Sequence, residues 1–216
     1  MTGTTEEDFQ DLKRLALFLK GQPRVVLRYE PQGMYSECTV FTDSDQAGYL
    51  RTRRSTSGTI VMMGNHCVEA ASGLQRTISL SSGESEFYAI VKAAAVGLQM
   101  KSLLLDWGYD VAVSVHTDSS AAIGTCSRRG LGKLRHVQTR YLWVQERVAA
   151  EDIKIYKVGT KANPADMCTK SLSAEMTKGF MTMTGHVYLE GRAASAKRLV
   201  SQVPTASVDI AKTYDS

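Results

Sequence analysis

With 216 residues, 43% of them hydrophobic and 22% charged, the chain has the makings of one globular domain with appendages. Its formal charge of +4 is too mild to argue for a polyanionic partner by itself, so a basic patch has to be found locally. Cys38, Cys67, Cys126 and Cys168 lie far apart in no zinc-ligand or CxxC spacing, and no uncharged apolar run nears the roughly 18 residues of a membrane span. Together with an acidic, non-signal N-terminus, these features lead us to expect reduced thiols in an intracellular setting, with no membrane partner.

In chain order, "EEDFQDLKRLALFLK" sets Phe9, Leu12, Leu15, Ala16 and Leu19 at helical spacing, stopped by Gly21 and Pro23. "RVVLRYE" reads as a strand. This helix and strand form an arm over residues 1–36 with little core of its own. "CTVFTD", "SGTIVMMG" and "HCVEAAS" read as strands, the last two joined by a tight turn at Gly64-Asn65. The segment "LSSGESEFYAIVKAAAVGLQMKSLLLDWG" is a long helix. Ser81 and Glu84 fit a capping box, Phe87, Ile90, Val91, Ala94 and Leu98 make its buried stripe, and Gly108 caps its end. "VAVSVHTD" is a strand, "SSAAIGTCSRR" and "TRYLWVQERVAA" are helices, and "IKIYKV" is a strand. Asn163-Pro164 then opens a last helix from about residue 165. The pattern is an α/β (α+β) domain over residues 37–173, followed by an extension at 174–216 whose part beyond residue 195 is polar, aperiodic and expected to be disordered.

Acids fall where elements begin and end. Asp43 and Asp118 each close a strand within a Thr-Asp-Ser triplet, Glu86 lies in the first turn of the long helix, and Asp166 opens the last one. Each has a plain alternative: turn residues after strands for the two Asp, and favourable helix-dipole positions for Glu86 and Asp166. The four together are harder to dismiss.

The blocks "DSDQAGYLRTRRSTSG", "TISLSSGESEFYAI", "VHTDSSAAI" and "NPADMCTKSL" resemble, in order, the RNase H domain of Ty1/copia-type retrotransposon Pol polyproteins. "LKRLALFLKGQPRVVLRYE" resembles the end of the preceding reverse transcriptase, which accounts for the arm. The resemblance implies an RNase H-like fold, a five-stranded mixed sheet flanked by helices. It also implies hydrolysis of the RNA strand of RNA–DNA hybrids during reverse transcription, beside a reverse-transcriptase partner, in a cytoplasmic virus-like particle or the nucleus. Asp43, Glu86, Asp118 and Asp166 would be the catalytic carboxylates and ligands of two Mg²⁺ or Mn²⁺ ions, with Asp45 secondary. Integrases and transposases place their Glu after two Asp, whereas here Glu86 comes second, as in RNase H.

A basic block follows Asp118: Arg128, Arg129, Lys133, Arg135, His136 and Arg140. It reads either as a solvated face or as a handle on nucleic-acid phosphates, and Arg53 and Arg54 would add contacts near Asp43. Hydroxyls of Ser44, Thr56 and Ser119 would read the 2′-OH groups of RNA. The chain departs from the family at Gln46 (usually Trp), in the lysine-free "ASGLQ", at Gln138 (usually acidic), and in a "KVGTKANPAD" loop without the His of cellular RNases H. Two other readings stand beside a hybrid ribonuclease: a catalytically idle nucleic-acid-binding remnant, and a structural or interaction domain.

Overall fold

The computed structural model describes residues 4–22, 24–132, 134–191 and 193. Lys133 and the tail expected to be disordered lie outside the described residues. The chain divides into a unit of Val25–Val187 and a smaller one that includes α1 (Glu6–Gly21). In α1, Thr5 and Asp8 form a reciprocal capping box: the Thr5 hydroxyl accepts the Asp8 N–H at 3.2 Å, and the Asp8 carboxylate accepts the Thr5 N–H at 2.8 Å. No α1 residue is buried, and Phe9, Leu12, Leu15 and Leu19 are exposed.

The larger unit holds a five-stranded sheet of β2 (Glu37–Ser44), β3 (Thr56–Met63), β4 (His66–Leu74), β5 (Ala112–Thr117) and β6 (Lys154–Lys157), in the order β4-β3-β2-β5-β6. The hairpin-linked strands β2, β3 and β4 pair antiparallel, whereas β5 joins β2 and β6 joins β5 in parallel. Parallel neighbours need a long crossover. Between β2 and β5 it includes α2 (Ser82–Asp106), and between β5 and β6 it holds α3 (Ser120–Cys126) and α4 (Trp143–Ala149). This mixed sheet with flanking helices is the architecture that the resemblance implies. Outside it, β1 (Val25–Leu27) pairs with β7 (His186–Tyr188), reached through α5 (Ala174–Met183).

The two faces of the sheet follow the period of two. Val40, Val61, Val113 and Val115 pack under α2 with Phe87, Ile90, Val91 and Ala94, while Phe41, Ile60 and Met62 face Met167 and Cys168 on the other side. By length and composition α2 could cross a membrane, yet eleven of its residues are buried within this fold. Its end matches the sequence reading: Gly108 takes φ +85°, and its N–H donates to the Leu105 carbonyl at 2.9 Å.

Three expectations need correction. The capping box of α2 is only half built. The Ser81 hydroxyl accepts the Glu84 N–H at 3.2 Å, but the buried Glu84 carboxylate turns to the Leu80 N–H, the Tyr88 hydroxyl and His136 Nε2, each at 2.9 Å. "TRYLWVQERVAA" splits into a 3-10 turn at Thr139–Tyr141 and the short α4. The buried Gln145 then staples α4 to the Thr125 and Gly130 carbonyls at 2.8 and 3.1 Å. Finally, the last helix does not start at 165. Pro164–Cys168 is a 3-10 turn, N-capped by the Asn163 side chain and ended at Thr169, and α5 begins afresh behind the Ser173 cap.

Candidate metal and active site

Strand parity puts Asp43, two residues beyond Phe41, on the sheet face covered by the 3-10 turn. That turn is held down by Asn163, fully buried, whose side-chain N–H donates to the Thr42 carbonyl at 3.0 Å while its oxygen accepts the Ala165 N–H at 3.3 Å. Gly58, the β3 partner of Asp43, lets the turn approach: a Cβ at Gly58 would lie 2.7 Å from the Ala165 carbonyl oxygen and 2.7 Å from Cys168 Cβ. Since neither obstacle is a flexible side-chain tip, Gly58→Ala should lower stability by about 1–3 kcal/mol in urea unfolding. Wild-type stability in that variant would show that the turn can shift freely.

Across the end of the sheet, α2 brings Glu86 and the end of β5 brings Asp118. Single carboxylate oxygens of Asp43, Glu86 and Asp118 lie within 4.8 Å of one another. Asp43 is fully buried, and its carboxylate accepts the Lys170 ammonium at 2.9 Å and the Thr169 hydroxyl. Glu86 Oε1 accepts the Ser44 N–H at 3.3 Å, while its buried Oε2 has no hydrogen-bond partner. Asp118, half-buried, accepts the Thr160 hydroxyl at 2.9 Å. Asp166 is buried in the 3-10 turn and reaches the cluster through Lys170, 3.2 Å from its Oδ1.

Crowding acids disfavours their charged forms. Burial, and then the neighbouring Asp43 and Asp118, push Glu86 from 4.5 to about 8. Burial and Asp43 also raise Asp166, to about 6, against the opposing pull of Lys170. Burial alone would lower Lys170, but its hydrogen bonds to Asp43 and Asp166 outweigh that and hold it firmly protonated. An all-oxygen donor set with one orphaned, buried carboxylate oxygen fits a hard divalent cation of the Mg²⁺ or Mn²⁺ kind.

The other expected residues divide. Asp45 positions the turn, accepting the Thr56 N–H with its side chain and donating its own N–H to the Thr56 carbonyl at 3.2 Å. Ser44 Oγ is buried without a partner beside Glu86, whereas Ser119 is spent as the α3 cap, accepting the Ala122 N–H at 3.3 Å. Arg53 is exposed at φ +55° in the β2–β3 turn, and Arg54 is half-buried next to it. Arg128 braces its own loop, donating to the Leu131 carbonyl at 2.8 Å. Arg129 and Arg135 are exposed, and the exposed Arg140 stacks over Tyr141 at 4.9 Å. His136 is committed to Glu84, and His116 sits between the rings of Phe41 and Tyr156 at 5.2 and 5.3 Å. Sequence reasoning missed Asn163, Thr160, Thr169 and Lys170. An acid and a lysine four apart, Asp166 and Lys170, were the available signal.

A mixed sheet in this order, with acids gathered at the ends of its two central strands, is the RNase H-like fold. The chain is a homologue of a segment of retrotransposon Pol polyproteins, as its Ty1/copia-type motifs imply. The retrovirus-related Pol polyprotein from transposon TNT 1-94 of Nicotiana tabacum is 32% identical over 133 residues, 60% of this chain and 10% of the relative. The Pol polyprotein from transposon RE1 of Arabidopsis thaliana is 26% identical over 184 residues, 84% of this chain and 12% of the relative. The chain thus spans about a tenth of the length of these relatives. Among solved structures, RNase H1 from the halophilic archaeon Halobacterium salinarum is similar, with a TM-score of 0.44, 14% identity, and coverage of 61% of this chain and 93% of that one. No protein-family model matches the chain.

Proposed function

We propose that the chain is a divalent-metal-dependent ribonuclease that hydrolyses the RNA strand of RNA–DNA hybrids within the cell, in concert with a reverse transcriptase. The observation that carries this reading is the cluster of Asp43, Glu86 and Asp118 with the unpartnered Glu86 oxygen, built on this sheet in a homologue of retrotransposon Pol. A divalent cation held there would polarise a phosphodiester and lower the pKa of a bound water.

The chain's own residues do the rest. Thr160 orients Asp118, the Ser44 N–H orients Glu86, and Thr169 with Lys170 fixes Asp43. Glu86, pushed up to about 8 by burial and its acidic neighbours, holds a proton at neutral pH in the metal-free chain. The exposed Arg53, Arg129, Arg135 and Arg140 are the groups for phosphate contacts, and binding that relies on them weakens steeply with salt.

The test is a cleavage assay on matched substrates. With Mg²⁺ the chain should cut the RNA of an RNA–DNA hybrid and leave duplex DNA of the same sequence intact. Salt-sensitive hybrid binding without cleavage would instead identify an idle nucleic-acid-binding remnant. Neither binding nor cleavage would leave an interaction domain whose acids serve as caps.

A further inference from the structure

The four acids are not equivalent. Asp43, Glu86 and Asp118 share one cluster, whereas Asp166 meets Asp43 across an ammonium group. We propose that Lys170 is the second cation of this site, so that the free chain takes up one divalent ion, on Asp43, Glu86 and Asp118, in place of the two that the family resemblance implies. This inference rests on the function proposed above and narrows how its site is charged.

Lys170 differs from a surface lysine that happens to lie near an acid. Its Nζ bridges two carboxylates, at 2.9 Å from Asp43 Oδ1 and 3.2 Å from Asp166 Oδ1, whose side chains are 0% and 1% exposed. Its backbone N–H donates to the Asp166 carbonyl at 3.0 Å, which fixes the start of the side chain on the same turn as its partner. The adjacent Thr169 hydroxyl engages the other Asp43 oxygen, so the segment grips that carboxylate from two sides. An ammonium is a compact point charge with three donors, suited to joining two carboxylates that would otherwise repel. A divalent ion shared by Asp43 and Asp166 would have to displace it. The second positive charge that phosphodiester hydrolysis draws on therefore comes from a side chain.

Counting Mn²⁺ ions on the full chain without nucleic acid tests this, by calorimetric titration and by electron paramagnetic resonance of the unbound ion. Wild type and Lys170→Arg should each bind one equivalent. Lys170→Met, which keeps length and loses charge, should bind two. Lys170→Gln serves as a second neutral variant, and far-ultraviolet circular dichroism checks that each is folded. Two equivalents on wild type, or one on the folded neutral variants, overturns the role of Lys170 while leaving the metal site intact. No binding by any of these proteins would defeat the metal site itself, and the inference with it.

Discussion

Asp118→Asn is expected to reduce Mg²⁺-dependent cleavage of an RNA–DNA hybrid by about three orders of magnitude, because several kcal/mol of transition-state charge stabilisation depend on the ion and each 1.36 kcal/mol is a factor of ten. Asp118 is the sharpest position for this test because it is half-buried and held by one neutral donor, the Thr160 hydroxyl. An Asn oxygen can accept that same hydrogen bond, so the local fold should survive. What disappears is one of three anionic ligands. The rise in melting temperature on adding Mg²⁺ to the wild type should vanish in parallel, and salt-dependent binding to the hybrid should remain. A variant that keeps its full Mg²⁺ melting response would refute the assignment of Asp118 as a ligand, whatever its cleavage rate.

Glu86→Gln should have the opposite effect on the metal-free protein: it should become more stable at pH 8, by roughly 2–4 kcal/mol. Burial and two neighbouring acids raise Glu86 from 4.5 to about 8 in the folded chain. A carboxyl raised in this way favours folding in its protonated form. Its contribution is complete below about 4.5 and is lost as the pH climbs through about 8. The wild-type chain without divalent ions should therefore lose stability steadily between these values in denaturant titrations. Asp166, raised to about 6, acts with the same sign over a lower window. Glutamine removes the Glu86 part, and its amide can donate to the Asp43 and Asp118 carboxylates. Saturating Mg²⁺ should restore the wild type at pH 8 and do little for the variant. Superimposable pH–stability curves for the two metal-free proteins would rule out Glu86 as the strained member of the cluster.

Much of this site was legible because it follows from short-range patterns. Strand alternation in "CTVFTD" and "VAVSVHTD" locates Asp43 and Asp118 at strand ends, and the helical stripe from Phe87 puts Glu86 on the long helix, although behind the Ser81 cap the first-turn acid is Glu84 and Glu86 lies just beyond that turn. Lys170 was hidden by one error of element type. Read as the opening of the last helix, Asp166 has the plain alternative of a dipole-stabilised acid, and no tie between Lys170 and Asp43 is visible. Read as a 3-10 turn pinned by Asn163 to β2, it brings Lys170 onto a strand more than a hundred residues earlier. The arginines show a second limit. Arg128 and Arg129 are adjacent and chemically identical, yet one guanidinium braces a loop carbonyl and the other faces solvent. Charge composition carries no record of how a loop turns.

The parallel pairing of β5 against β2 has a consequence for how the protein comes into being. Asp43, Glu86 and Asp118 meet, and Asp166 joins them through Lys170, only after two long crossovers have closed and the 3-10 turn has docked on the sheet. Such non-local closure is intrinsically slow, because chain entropy is lost before the contacts that repay it are made. The β2–β4 meander can assemble first from local hairpins, but at that stage Asp43 has neither Lys170 nor fellow ligands. Affinity for a divalent ion is thus a property of the finished fold, and the ion acts on the folding equilibrium by mass action on the native state alone. A chain that includes the 3-10 turn but ends before Lys170 would cover the Asp43 carboxylate without supplying its counter-charge.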